Sequence, residues 1–136
     1  MNEHAHEAVE LTKNQSLVMG ALTRSKEPLS AYTILDQLRD NGFRAPLQVY
    51  RALDKLVEFG MVHRLESLNA FVACRHPGCD GDDTIAFMIC ERCGQVNEIT
   101  DNAMTKRLKQ LAGEASFALK KTTIELRGLC RTCQAA

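Results

Sequence analysis

The sequence predicts an α+β protein in which a winged helix-turn-helix domain precedes a small zinc-stapled α/β domain. Three observations lead to this fold class: three helical segments followed by two β-prone runs, a polar loop near the middle, and two Cys-x2-Cys pairs. They divide the 136 residues into a first domain at 1–75, a hinge loop at 76–83 and a second domain at 84–136. A chain of this length suffices for two small domains.

Three helices in the first domain are predicted from apolar spacing and from residues that begin and end helices. Residues 14–26 carry apolar side chains at helical spacing, and Pro28 ends this segment. Ser30 is a favoured N-cap for a second helix, which Asn41-Gly42 terminates. Pro46 suits the first turn of the third helix.

A β-hairpin completes the first domain. The runs Met61 to Glu66 and Asn69 to Cys74 are β-prone, and Ser67-Leu68 joins them. Three helices and a hairpin form the outline of a winged helix-turn-helix, whose third helix enters a major groove.

The predicted third helix has side chains suited to nucleic acid. Arg51 can bind guanine through two hydrogen bonds, whereas the others suit phosphates or base edges. The polar positions on its solvent side are Gln48, Tyr50, Arg51, Asp54 and Lys55. An ordinary solvated helix has the same composition, so the helix alone leaves both interpretations open. Tyr32 lies near the start of the second helix, where backbone N–H groups also favour phosphate.

Bulk charge gives no support for nucleic-acid binding. The chain has 17 Lys and Arg against 17 Asp and Glu, and its formal net charge is zero. No apolar run is long enough to span a membrane, and nothing resembles an export signal. We therefore expect a cytoplasmic, reducing environment, in which cysteines bind metal rather than form disulfides.

The two Cys-x2-Cys pairs predict a structural zinc site. Cys90 and Cys93 form one pair, and Cys130 and Cys133 form the other. Each pair can bind one metal from a single tight turn, and the two turns complete a tetrahedron around Zn²⁺. Because 36 residues separate the pairs, a small domain must fold between them.

The elements of that small domain follow from its pattern. Strands are predicted at Ile85 to Cys90 and at Gln95 to Ile99, a helix at Asp101 to Ala115, and a strand at Phe117 to Leu126. An apolar stripe on the helix is interpreted as packing. It consists of Met104, Leu108 and Leu111.

A second metal site is suggested by residues near the hinge. If Ser67-Leu68 is a two-residue turn, His63 pairs with Val72, and Cys74 lies diagonal to His63 on the same face. Diagonal neighbours are roughly 7–8 Å apart at Cα, within reach of one metal. Core packing is the alternative for such residues. Further ligands follow in the loop and on the next strand: His76, Cys79, Asp80, Asp82, Asp83 and Glu98.

The chain resembles the ferric uptake regulator family of bacterial metal-responsive repressors over nearly its whole length. The resemblance rests on Pro46 to Leu53, on Gly60-Met61-Val62 with the hairpin, on Ile89 to Gly94 and on Gly128 to Cys133. The segment His63 to Cys74 is most similar to the zinc uptake regulator branch. Ile85-Ala86-Phe87-Met88 replaces the His-rich stretch typical of the iron-sensing members.

The resemblance implies a homodimer, assembled through the C-terminal domain, that binds a palindromic double-stranded DNA operator. It implies about two Zn²⁺ per chain: a structural zinc on the four paired cysteines and a regulatory zinc at the hinge. The positions matching the regulatory ligands are His63, Cys74 and Glu98, with Asp83 where the zinc branch commonly has a histidine. His76 or Cys79 is an alternative fourth ligand. Tyr32, Tyr50 and Arg51 match DNA-facing positions.

The function expected from this resemblance is zinc-dependent repression of zinc uptake genes. Zinc bridging the two domains is expected to set the spacing of the two recognition helices, so that both reach successive major grooves. The alternatives are a family member that senses another metal or peroxide, and a redox switch at the paired cysteines. An enzyme is disfavoured because no HExxH or HxE…PCxxC pattern is present.

Overall fold

A computed structural model of the chain describes residues 10–75, 84–120 and 122–135. The chain divides into two compact units, Met1–Cys74 and Arg75–Ala136. The predicted hinge loop lies outside the described residues, and with it lie the candidate ligands His76, Cys79 and Asp83. The predicted domain bounds of 1–75, 76–83 and 84–136 therefore stay a prediction.

The first unit contains the three predicted helices. They are α1 (Lys13–Arg24), α2 (Ala31–Gln37) and α3 (Pro46–Glu58), with a 3-10 turn at Arg39–Asn41 before α3. Ser30 begins α2 as expected, since its hydroxyl accepts the N–H of Thr33 at 3.1 Å. Gly42 ends this segment in the left-handed region, at φ 100°. Pro46 occupies the first turn of α3.

The three helices pack around one apolar core. Val18, Ile34, Val49, Leu53 and Leu56 have no exposed surface. They lie on the faces that α1, α2 and α3 turn toward one another, as apolar spacing of three and four residues requires. Burial of these side chains positions α3 and leaves its opposite side to solvent.

The hairpin has the predicted register. Strands β1 (Val62–Leu65) and β2 (Ala70–Ala73) are antiparallel, and His63 pairs with Val72. The N–H of Asn69 donates to the carbonyl of Glu66 at 3.3 Å, which closes the turn. Helices α1 to α3 with this hairpin form the winged helix-turn-helix that the sequence predicts. We call the hairpin the wing.

The second unit contains a three-stranded sheet with the order β4-β3-β5. Its elements are β3 (Ile85–Cys90), β4 (Val96–Thr100), α4 (Asn102–Glu114), β5 (Ile124–Gly128) and α5 (Arg131–Ala135). Strand β3 is antiparallel to β4 and parallel to β5. The mixture of helices with small sheets confirms the α+β fold class.

One expectation for the second unit was wrong. The last strand begins at Ile124, not at Phe117, because Phe117 instead ends α4 by donating its N–H to the carbonyl of Ala112 at 2.8 Å. On α4, Leu111 is exposed, Met104 and Leu108 are partly exposed, and Thr105 is buried, so the interpretation of the stripe as packing stays a prediction. None of the helices in the described ranges is long and apolar enough to cross a membrane.

Candidate metal centre and nucleic-acid interface

The sheet of the second unit brings together four cysteines that are far apart in sequence. Strands β3 and β5 are parallel neighbours, and Cys90 pairs with Gly128 at their carboxyl ends. One Cys-x2-Cys pair begins at the last residue of β3, and the other begins just after β5 and ends in α5. Because parallel strands end at the same edge of a sheet, the two turns lie side by side.

The four sulfur atoms form a compact cluster. The Sγ atoms of Cys90, Cys93, Cys130 and Cys133 all lie within 4.8 Å of one another. The sulfurs of Cys93 and Cys130 are 3.8 Å apart. Tetrahedral zinc with Zn–S bonds of about 2.3 Å separates its sulfurs by about 3.8 Å. None of the four is in a disulfide, so all four can bind as thiolates.

Backbone geometry orients Cys90 toward the centre of this cluster. Its Sγ accepts the N–H of Cys93 at 3.5 Å and the N–H of Cys130 at 3.3 Å, one from each turn. Gly94 completes the first turn at φ 80°, a conformation that favours glycine. The Arg92 guanidinium then donates to the carbonyl of Cys133 at 3.2 Å and ties the first turn to α5.

The protonation of the cluster is divided unevenly among the sulfurs. The N–H groups of Cys93 and then Cys130 lower the pKa of Cys90 to about 5, because they stabilise its thiolate. The neighbouring side chain of Cys130, together with burial, raises the pKa of Cys133 to about 12. A cluster that holds one thiolate readily and resists a second anion is suited to a bound cation, whose charge stabilises all four thiolates.

The wing brings together two of the predicted regulatory ligands. The hairpin ladder extends beyond the strands, since the N–H of Cys74 donates to the carbonyl of Met61 at 2.8 Å. Cys74 therefore lies diagonal to His63, and a ring nitrogen of His63 lies within 4.8 Å of the Cys74 sulfur. Both are partly buried. Contrary to the expectation that the cysteines form no disulfides, Cys74 is disulfide-bonded in this structure, so it can bind metal only after reduction.

The third predicted ligand, Glu98, lies in the second unit. It is on the middle of β4 and pairs with Phe87 of β3. Its Oε2 accepts the backbone N–H of Arg75 at 3.4 Å. This contact places the Glu98 carboxylate next to residue 75, where the second unit begins.

The predicted DNA-contacting residues lie on α2 and α3. Tyr32 is 61% exposed near the start of α2. Arg51 is exposed on α3, and no described residue binds its guanidinium. Lys55 is also exposed and lies 3.5 Å from Glu58. Tyr50, in contrast to the expected solvent position, is partly buried and packs against the core.

Gln48 does not extend its amide into solvent as a helix-surface residue would. Its Oε1 accepts the backbone N–H groups of Arg44 at 2.6 Å and of Ala45 at 3.0 Å. The side chain thus caps the start of α3. Sequence reasoning missed this role, although a Gln three residues after an N-cap is a known capping signal.

The chain is similar to known metal-responsive regulators. Residues 6–127 match the ferric uptake regulator family. The chain is 39% identical over 130 residues to the zinc uptake regulation protein of Escherichia coli (strain K12), an alignment that covers 95% of this chain and 75% of the relative. It is 27% identical over 107 residues to the ferric uptake regulation protein of Legionella pneumophila, covering 78% of this chain and 76% of that protein.

Two solved structures share the fold over nearly the whole chain. Holo XcZur has a TM-score of 0.86 at 38% identity and covers 97% of this chain and 92% of its own. A zinc uptake regulator in complex with zinc and DNA has the same TM-score and identity, covering 96% of this chain and 87% of its own.

Proposed function

Because the chain belongs to the ferric uptake regulator family, we propose that it is a repressor that binds DNA in response to zinc and controls genes for zinc uptake. The observation that carries this function is the similarity, at 38% identity, to a regulator whose structure contains zinc and DNA. The chain is a transcription regulator and not an enzyme. It acts on DNA and therefore in the cytoplasm.

The four-cysteine cluster supports a structural zinc. The donor set fits this metal, because four thiolates at tetrahedral separation leave no position open for a substrate. Cys90, the last residue of β3, and Cys93 in the turn after it would bind from one side. Cys130, just after β5, and Cys133 in α5 would bind from the other. Zinc at this position would join the two ends of the second unit and stabilise its fold.

A second, regulatory zinc gives about two zinc ions per chain. We assign its ligands as His63 and Cys74 from the wing and Glu98 from β4, with Asp83 as the fourth. His76 or Cys79 is the alternative fourth ligand. The proximity of His63 and Cys74 supports this assignment, as does their mixed nitrogen and sulfur chemistry, which suits zinc better than manganese.

This arrangement makes metal binding a switch. His63 and Cys74 belong to the first unit and Glu98 to the second, so one metal on all three couples the DNA-binding unit to the other. The ligand set can favour one arrangement of the units only to the extent that it binds zinc more tightly in that arrangement.

The protein acts as a homodimer on its operator. Strand β5 is at an edge of the sheet in the described part of the chain. Apolar side chains next to it are exposed, among them Leu126 and Leu129, and so is Leu111 on α4. These surfaces of the second unit suit a second copy of the chain. Two-fold symmetry then predicts a palindromic operator.

Five residues are proposed to contact DNA, namely Tyr32, Gln48, Tyr50, Arg51 and Lys55. The exposed guanidinium of Arg51 suits a guanine edge, and Lys55 suits a phosphate. Tyr32 and the partly buried Tyr50 can present their hydroxyls to the DNA backbone.

The direct test of the two-zinc proposal is the zinc content of reduced protein before and after mild chelation. We expect about two zinc ions per chain to fall to about one, with the circular dichroism spectrum unchanged. Reducing agent is required because Cys74 binds only as a thiolate. One zinc that never rises on titration would leave the structural site alone and would remove the regulatory assignment.

A further inference from the structure

The start of α3 contains a polar side chain whose hydrogen-bonding capacity is already partly used. Gln48 accepts two backbone N–H groups through Oε1, at 2.6 Å from Arg44 and 3.0 Å from Ala45. Both donors are N–H groups, so only the oxygen of the amide can face them, and the orientation of the amide is set by chemistry. The Nε2 group has two donors, and no described residue accepts from them.

This orientation restricts what Gln48 can read. A glutamine that recognises adenine uses its oxygen and its nitrogen together, one for N6–H and one for N7. Because the backbone occupies Oε1, Gln48 can bind DNA only by donating hydrogen bonds from Nε2. A phosphate oxygen accepts such a bond as well as a base edge does. Ala45, at the N-cap position, has no side-chain oxygen to take over the capping role. Releasing Gln48 to read a base would therefore leave the start of α3 without a side-chain cap.

Leu47, the residue before Gln48, has an apolar side chain that can enter the major groove. Leu47 is 56% exposed, although it lies at the second position of α3. It precedes Tyr50 by three residues and Arg51 by four, so it shares their face of the helix. Residues at the start of a recognition helix contact base edges. In a major groove, the apolar group available to a leucine is the C5-methyl of thymine.

We propose that Leu47 is a specificity-determining residue that contacts a thymine methyl group in each half-site, and that Gln48 is a positioning residue that caps α3. This inference rests on the proposed function, since it assumes that α3 enters the major groove. It assigns the reading of sequence to Leu47 and Arg51, one turn apart on the same face. It assigns to Gln48 a contribution that is the same for every sequence.

The experiment begins with selection from a random-sequence duplex library by the zinc-loaded, reduced chain. The selected motif should contain a thymine at one fixed position in each half-site that Leu47→Ala no longer selects. Replacing that thymine with deoxyuridine removes only the methyl group and should weaken wild-type binding about fourfold per half-site. The same replacement should leave the affinity of Leu47→Ala unchanged. Wild-type protein that binds thymine and deoxyuridine equally at every position would overturn the assignment of Leu47.

Gln48→Ala provides the matched test of the cap. It should lower the free energy of unfolding by about 1 kcal/mol, with the selected motif unchanged. Adding Ala45→Ser supplies a hydroxyl cap and should recover part of the loss. A motif that relaxes at one position in Gln48→Ala would make Gln48 a base reader and overturn its assignment. Wild-type protein that selects no motif at all would instead refute the proposed function.

Discussion

Replacement of Cys93 by Ser should unfold the second unit while leaving the winged helix-turn-helix folded. The substitution removes one of four sulfurs in a cluster whose members lie within 4.8 Å of one another. It also removes the partner that is 3.8 Å from Cys130 in the opposite turn. The serine hydroxyl is neutral and binds zinc much more weakly than the thiolate that it replaces.

The expected loss of stability is large because few apolar side chains are buried in this unit. Its large buried apolar side chains, among the described residues, are Ile85, Phe87 and Ile89. At about 1.5–3 kcal/mol each, they supply about 5–9 kcal/mol before the cost of ordering the chain is subtracted. A structural zinc contributes about 10–16 kcal/mol in small zinc-binding peptides. The metal term is therefore larger than the apolar term, and loss of the metal should remove the fold.

The assay is thermal unfolding followed by circular dichroism, with zinc content measured on the same samples. We expect Cys93→Ser to lose part of its β signal at 25 °C and to lose its tightly held zinc. Cys74→Ser is the matched control, because it removes a wing sulfur and should keep both the melting curve and the structural zinc. An unchanged melting curve for Cys93→Ser, with zinc still retained during chelation, would refute the structural role.

Three further predictions concern other parts of the chain. Replacing His63 by Ala should lower the zinc content of reduced protein by about one per chain while the structural zinc is retained during chelation; two retained zinc ions would exclude His63 as a ligand. Thr105→Val should destabilise the second unit by about 1–3 kcal/mol in denaturant, since the buried N–H of Thr84, which donates to the Thr105 hydroxyl at 3.0 Å, loses its acceptor, whereas Thr105→Ser should not. Arg51→Ala should lose about 1–3 kcal/mol of discrimination at one base pair per half-site when it binds selected duplexes. Lys55→Ala should instead weaken binding to all sequences alike and reduce the salt dependence of binding. Equal effects of both variants on every sequence would exclude base reading by Arg51.

The features that the sequence predicts well depend on short-range chemistry. Ser30 and Pro46 begin their helices because capping and the fixed φ of proline act within one turn. The cluster of four cysteines could be predicted because a two-residue spacing already indicates a metal-binding turn. The register of the wing follows from a tight turn, which is why the His63–Val72 pair could be predicted.

The features that the sequence does not predict depend on contacts made elsewhere. The predicted start of β5 was wrong because the N–H of Phe117 ends α4, and Ser116 adopts a left-handed conformation at φ 56°. The spacing of the stripe on α4 does not show whether its side chains are buried, and Leu111 is exposed. The capping role of Gln48 depends on where the N–H groups of Arg44 and Ala45 point.

The central claim, that zinc controls DNA binding through a site separate from the four-cysteine cluster, is tested most directly by titrating free zinc against operator binding. Fluorescence anisotropy of a labelled, selected duplex would be measured with reduced wild-type and Cys74→Ser proteins that each retain the structural zinc. We predict that binding by the wild-type protein rises steeply with free zinc, and that Cys74→Ser stays weak over the same range. Equal binding by both proteins at all zinc concentrations would contradict the account.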